Sequence, residues 1–283
     1  MVSKESANCL NCGIRFLKYL VHLQMISGTR EWAVAEINCC LGCPHDCRYC
    51  YAQTAALKKG LITSVEQWAQ SRIIDQAVKE TQPHYQGRVM FPTAHDIVKE
   101  NLAASTEVIG HLLAADNKVL IVSKPSVYCI DKICDRFYRH RHRILFRFTI
   151  TARDYAVLSF WEPGAPDYPN RLASLKIAYQ RGFETSISIE PILDISDLNE
   201  MIAELEPFVD HSIWIGKMNR IEERVAVDSD KMAEEVARIR SEQDDERIVN
   251  LYETLKGNRL IRWKESIKQV VGLPLPTESG LDQ

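Results

Sequence analysis

Cys39-Cys40-Leu41-Gly42-Cys43-Pro44-His45-Asp46-Cys47-Arg48-Tyr49-Cys50-Tyr51 gathers five of the chain's nine cysteines into one short stretch. Within it, Cys43, Cys47 and Cys50 stand at C-x3-C-x2-C spacing. Iron–sulfur cubanes are held by cysteine thiolates, usually four of them. Three thiols from one loop hold three irons and leave the fourth open to a small molecule. Tyr49, just ahead of the third cysteine, is placed to shield such a cluster or to lie against its ligand. The competing reading is a structural zinc knuckle, which needs four closed protein ligands. His45, Cys39 or Cys40 would complete it.

The surroundings favour a globular, intracellular setting. The 283 residues are 46% hydrophobic and 26% charged, which is ordinary for a folded protein and enough for one sizeable core with appendages. A net charge of −3 gives no global basic field, so charge does not support nucleic acid as a partner. Nine clustered cysteines do not look like a disulfide framework and point instead to metal or redox chemistry. The apolar stretch from Gly13 to Ile26 is broken by Arg15, Lys18 and His22. It is too short and too charged for a signal core or a membrane span, so a cytoplasmic protein without membrane contact is expected.

Along the chain, strand and helix patterns alternate six times. Trp32 to Asn38 reads as the first strand, with the cysteine loop at its carboxyl end. A helix runs from Tyr51 to Lys58, closed by Gly60. Ser64 and Gln67 form a capping-box pattern that opens a helix to about Glu80. Further strands are expected at Arg88–Phe91, Val119–Val122, Ile144–Thr151, Thr185–Ile189 and Ser212–Gly216. Helices are expected near Leu102–Ala115, Val127–Arg139, Asn170–Arg181 and Leu198–Leu205. This alternation predicts an α/β fold of βαβ units with right-handed crossovers, curling into a partial (β/α)6 barrel. Residues 1–30 form a cysteine-containing leading segment, 31–220 the barrel, and 221–283 an extension with two charged helices and a strand-like Leu260–Trp263. Cys9 and Cys12 form a C-x2-C pair that would make a second metal site with Cys39 and Cys40. Against this, neighbouring side chains in a strand point to opposite faces.

In parallel barrels the working face lies at the carboxyl ends of the strands. There the sequence places Thr93, His95 and Asp96 after the second strand and Ser123 and Lys124 after the third. Thr149 and Thr151 stand on the fourth, Ser188 and Glu190 on the fifth, and Lys217 and Asn219 after the sixth. Trp161, Glu162, Tyr168 and Arg171 are candidates for substrate contacts, and Glu162 alternatively anchors its own loop. The basic run Arg136 to Arg143 connects a helix to the next strand, at the end of the barrel away from the cysteines.

The C-x3-C-x2-C motif with its preceding aromatic resembles the signature of radical S-adenosylmethionine (SAM) proteins. Gly42–Ala52, Ser123-Lys124-Pro125-Ser126 and the segment from Glu162-Pro163 to Arg171-Leu172 resemble the spore photoproduct lyase-like branch of that superfamily. The resemblance covers roughly residues 31–220. It implies a 4Fe–4S cluster on Cys43, Cys47 and Cys50, with SAM on the open iron. It also implies reductive cleavage of SAM to a 5′-deoxyadenosyl radical that abstracts hydrogen from a substrate, fed by an external one-electron donor such as flavodoxin or ferredoxin. Lys124 inherits the contact to the SAM carboxylate, and Thr149 or Thr151 the ribose contact. Ser123, Tyr49 and Glu190 complete the expected cofactor-binding set. The sequence departs from the superfamily where Gly-Gly-Glu is usual, since Pro92-Thr93-Ala94-His95-Asp96 stands there. Lesion repair in the branch also uses a separate cysteine as hydrogen donor. Beyond the first strand region only Cys129 and Cys134 remain, both on the helix after strand three. Lesion repair on nucleic acid is therefore the narrower alternative, and a zinc or iron–sulfur binding module the non-enzymatic one.

Overall fold

Alternating side chains divide the strands between two cores. In the computed structural model, which describes residues 26–281, β1 (Ala35–Glu36), β2 (Cys40–Leu41), β3 (Arg72–Ile73), β4 (Arg88–Phe91) and β5 (Lys118–Ser123) are followed by β6 (Ile144–Thr149), β7 (Glu184–Ile189), β8 (Ser212–Ile215) and β9 (Ile261–Trp263). The main sheet is parallel throughout, in the order β1-β4-β5-β6-β7-β8-β9. One set of alternate residues, including Val89, Phe91, Ile121, Phe146, Phe148 and Ile213, packs in a large core with the surrounding helices. The other set, Met90, Leu120, Leu145 and Trp214, forms a second, smaller core with Trp32 and Ala33. A strand buried on both faces must be apolar at both parities, which is why these segments read as continuous hydrophobic runs.

The smaller core shows that the sheet is curled. Trp32, just ahead of β1, meets Trp214 of β8 with ring centroids 5.7 Å apart. In a flat sheet these strands would lie five steps of about 4.8 Å away from each other. Arg147 from β6 lies over both rings, fully buried, and donates to Ser186 Oγ at 2.9 Å. The interior is thus filled at this level, and the opening lies at the carboxyl ends.

The partial barrel is as expected, with three differences. First, the extension contributes a seventh parallel strand, β9, paired with β8. Second, the helix expected from Ser64 to Glu80 is two short helices, Glu66–Ala69 and Asp75–Lys79, either side of β3. The chain is held extended there because β3 pairs antiparallel with β2 and the Trp68 carbonyl accepts from the Cys43 amide at 2.9 Å. Third, a helix at Tyr155–Trp161, capped by Asp154, occupies a stretch that carried no assignment. The first strand is short in its ladder, although Val34 and Ile37 amides continue the pairing to Arg88 and Met90 carbonyls. The readings on residues 1–25, including Cys9, Cys12 and a helix there, lie outside the described residues. Among the described residues no helix is long and apolar enough to cross a membrane.

The two edges of the curled sheet are joined by side chains. Lys264, following β9, is fully buried, places Nζ 2.7 Å from Glu31 Oε1 and donates to the Gly28 carbonyl at 2.7 Å. Its ammonium lies 4.3 Å from the Trp32 ring centroid and 3.7 Å from Glu265 and Glu190 carboxylates. Burial, then a hydrogen bond donated to Glu265, raises Glu31 to about 8, while Glu265 is held low. Lys264 is therefore balanced by Glu190, Glu31 and Glu265 together, with a proton held on Glu31.

The folded chain keeps this proton on Glu31 where the unfolded chain, at an ordinary value of 4.5, releases it. Stability contributed by Glu31 is consequently lost as pH rises from about 4.5 to 8. Denaturant unfolding across this range should show a decline that is shallower in Glu31→Gln than in the unsubstituted protein. Parallel curves would contradict the assignment.

Candidate functional site

The cysteine loop is held from three sides. Gly42 has φ +94°, and a side chain there would stand 2.4 Å from the Trp68 carbonyl oxygen, so only glycine lets the loop turn against that helix. Gly164 lies under the loop in the same way, where a Cβ would meet the Pro44 carbonyl at 2.2 Å. Its amide donates to His45 O at 3.0 Å, and the Arg48 amide donates to Trp161 O at 2.9 Å. Cys50 then caps the helix Tyr51–Lys58, its sulfur accepting from the Gln53 amide at 3.4 Å. A helix amino terminus favours a thiolate over a thiol.

Cys43, Cys47 and Cys50 line one cavity of about 380 Å³ together with Tyr49, Lys124, Thr149 and Glu190. Thr93, His95, Asp96, Ser188, Lys217 and Asn219 border the same space, so all six strand ends of the sequence reading converge. The cavity runs down to Met90 and Trp32 of the inner core. Several of its lining residues were outside the expected set, among them Arg224, Thr29 and Arg30. Arg224 comes from a one-turn helix, Ile221–Arg224, that the sequence pattern assigned to the extension, and Thr29 and Arg30 come from the turn before β1.

Asp96 organises one wall. Its Oδ1 accepts from the Lys124 amide at 2.7 Å and from Ser123 Oγ at 2.8 Å. Its Oδ2 lies 2.8 Å from His45 Nδ1, 3.8 Å from Lys124 Nζ and 3.9 Å from Cys43 Sγ. Burial works against the carboxylate, but Lys124 and His45 outweigh it and hold Asp96 far below the usual range. Burial likewise opposes the Lys124 ammonium, yet Cys47, Tyr49, Asp96 and Glu162 raise it well above an ordinary lysine. The ammonium is thus fixed, charged and 5.7 Å from the Tyr49 ring centroid.

A second buried group stands behind Tyr49 and does not line the cavity. Glu162 receives hydrogen bonds from the Tyr49 hydroxyl, from Arg171 and from Thr151 Oγ1, the last at 2.9 Å. Burial alone would raise Glu162, but Arg171 and Lys124 keep it ionised.

These contacts relocate several expected site residues. Ser123 is buried and spends its hydroxyl on Asp96 and on the Ile97 amide, so it supports the wall and does not line the cavity. Thr151 is fully buried against Glu162, which leaves Thr149 as the strand-four hydroxyl at the cavity. Trp161, Glu162, Tyr168 and Arg171 are also buried and are not substrate-facing. Glu162 anchors its loop, Trp161 Nε1 donates to Glu235 at 3.2 Å, and the Tyr168 hydroxyl donates to Glu204 at 2.6 Å. Cys129 and Cys134 are enclosed in the helix–sheet core. The basic run forms a turn, Tyr138–Arg143, leading into the amino end of β6, away from the cavity.

The donor chemistry fits an iron–sulfur cluster. Burial pushes Cys43 up to about 12 and raises Cys47 and Cys50, so these thiols ionise only beside a strongly positive centre. Among the described residues, the donor groups compact enough to hold a single ion are Cys39–Cys40–His95 and Cys43–His45–Asp96. Neither contains all three loop cysteines, which are spread for a larger group than one ion. Lys124 stands at the same cavity with its charge maintained, where a ligand carboxylate would be met.

No protein-family model matches the sequence. The Uncharacterized protein ORF301 of Acidianus two-tailed virus is 25% identical over 185 residues, which is 61% of this chain and 60% of that protein. The chain therefore matches less than two thirds of that relative's length. In fold, the chain is similar to solved structures of spore photoproduct lyase. The enzyme complexed with dinucleoside spore photoproduct is 17% identical with a TM-score of 0.53, over 86% of this chain and 79% of that one. A cysteine-to-alanine mutant is 18% identical with a TM-score of 0.52, over 85% and 78%. Similarity at this level establishes a shared fold, the one that the cysteine loop and strand pattern lead one to expect.

Replacing Glu162 by Gln leaves the Arg171 guanidinium buried without its counter-charge. Breaking such a pair costs about 3–5 kcal/mol. Chemical denaturation should show a loss of this size, against less than about 0.5 kcal/mol for the exposed Glu253→Gln.

Proposed function

We propose that the protein is a radical SAM enzyme. In this reading Cys43, Cys47 and Cys50 hold a 4Fe–4S cluster, and Lys124 receives the carboxylate of SAM. The supporting observation is a single cavity that unites two buried thiols and one part-buried thiol from one loop with a part-buried, charged lysine at the end of the third barrel strand. When bound, the cluster and SAM supply reductive cleavage to a 5′-deoxyadenosyl radical, which takes hydrogen from an unactivated position.

The chain's own residues bind, orient and exclude water. Lys124 offers a point charge whose direction is fixed by Asp96 through its amide and ammonium. Tyr49, tethered to Glu162, closes the side of the loop between the second and third cysteines. Thr149, Ser188 and Glu190 present hydroxyls and a carboxylate at the facing strand ends. Burial raises Glu190, against the pull of the Lys264 ammonium. The electron comes from an external one-electron donor of the flavodoxin or ferredoxin kind. The narrower lesion-repair reading draws no support from Cys129 or Cys134, whose burial keeps them from the cavity.

Anaerobic reconstitution followed by reduction should yield 5′-deoxyadenosine from SAM. A variant with Cys43, Cys47 and Cys50 changed to Ala should yield none. Lys124→Met should keep the cluster but weaken SAM binding roughly 10- to 100-fold, the value of a charge-assisted hydrogen bond. A metal-loaded protein that neither binds nor cleaves SAM would instead favour a zinc or iron–sulfur binding module.

A further inference from the structure

A separate set of donors lies behind the proposed cluster site. Cys39 and Cys40 are adjacent, but their side chains do not diverge as those of strand neighbours do. Cys39 precedes β2, and the two sulfurs are 3.9 Å apart. Cys39 Sγ is 3.8 Å from His95 Nε2, and all three donor atoms lie within 4.8 Å of one another. A tetrahedral zinc site, with bonds of about 2.3 Å to sulfur and about 2.0 Å to nitrogen, sets its donors roughly 3.5–3.8 Å apart. The two edges that meet at Cys39, 3.9 and 3.8 Å, are therefore close to those of a zinc tetrahedron, and the third is no longer than 4.8 Å.

The imidazole is in the matching state. His95 Nδ1 donates to the Asp96 carbonyl at 3.1 Å, so Nε2 carries the lone pair. A metal-bound histidine is usually oriented by this kind of outer hydrogen bond. The Cys39 amide donates to Nε2 at 3.2 Å and keeps that nitrogen turned toward the two sulfurs. Metal binding would replace this amide bond. Ser105 Oγ lies 4.0 Å from Cys39 Sγ, and Ser71 and Asn101 side chains hydrogen-bond to Cys40. All three donor residues are buried, at 0%, 4% and 6% exposure. Two thiolates and one divalent cation sum to zero charge, the combination a buried pocket tolerates best.

We propose that Cys39, Cys40 and His95 bind a thiophilic divalent cation of the zinc class, with water from the cavity that His95 lines as the fourth ligand, at a site distinct from the Cys43–Cys47–Cys50 loop. Binding releases the two thiol protons to solvent, with no change in oxidation state. The metal clips the entry to the cysteine loop onto the loop after β4. That second loop carries Asp96, which holds His45 and Lys124.

The site is tested in the full chain carrying Cys43→Ala, Cys47→Ala and Cys50→Ala, which removes the other thiols of the loop. Anaerobic titration with cobalt(II) should give one bound ion per chain, with thiolate-to-cobalt absorption and tetrahedral visible bands that zinc abolishes. Adding Cys40→Ser or His95→Ala should weaken cobalt binding at least tenfold, and Cys129→Ser should leave it unchanged. Bands that persist in a Cys39→Ser, Cys40→Ser double variant, or that depend on Cys9 and Cys12 alone, would overturn the proposal, as would their absence from the parent. If the parent does not fold, zinc and iron are measured together in the reconstituted protein. Cys40→Ser should lose zinc and retain iron, and equal zinc in both would refute the site. Because iron and SAM cleavage are read separately, failure here is distinguishable from failure of the radical SAM reading.

Discussion

A parallel sheet that curls without hydrogen-bonding shut must hold its two edges by side chains, and here that task falls on the buried Lys264. Its ammonium reaches from the end of β9 to the turn before β1, touching Glu31, the Gly28 carbonyl and the Trp32 ring. The contact matters because β1 has only two ladder residues and pairs on one side with β4 alone. Such a strand has little of its own to fix its position. It nevertheless launches the cysteine loop, while Ser188, Glu190 and Lys217 stand on the far side of the opening. The distance across the cavity is therefore set by an ion buried beneath it. A charge without water is expensive unless well matched, and Lys264 is matched by the carboxyl groups of Glu190, Glu31 and Glu265 and the faces of two tryptophans.

Asp96 plays the corresponding part within the site. One carboxylate joins the cysteine loop, through His45, to the lysine after β5, through both the amide and the ammonium of Lys124. Glu162 does the same behind Tyr49, linking it to Arg171 and to the end of β6. Each of the two acids is thus buried and surrounded by donors. Such a network holds one geometry because every alternative leaves a charge unsatisfied.

Much of this was legible in the sequence. Continuous apolar runs located the strands because both faces are buried, and the cysteine spacing picked out the loop that lines the cavity. What escaped was the direction of individual polar side chains. Ser123 and Thr151 sit at strand ends, as the cavity-lining Thr149 does, but their hydroxyls turn inward because Asp96 and Glu162 need donors. Nothing local to serine or threonine carries that demand, which comes from acids 27 and 11 residues away. The divided segment after Ser64 was hidden for a similar reason. Its helical pattern is real, but β2 and the Cys43 amide claim the backbone between its two halves. The proximity of Cys39 and Cys40 was misjudged by applying strand alternation to a residue that lies before its strand.

The edge-to-face pair of Trp32 and Trp214, with Arg147 over both rings, leaves the cavity with a solid base. Among the described residues this base is closed by packing, so a molecule that reaches Met90 and Trp32 comes from the side of the strand ends. The tryptophan plug, which as packing only fills the bottom of a barrel, thereby gives the cavity a direction of approach.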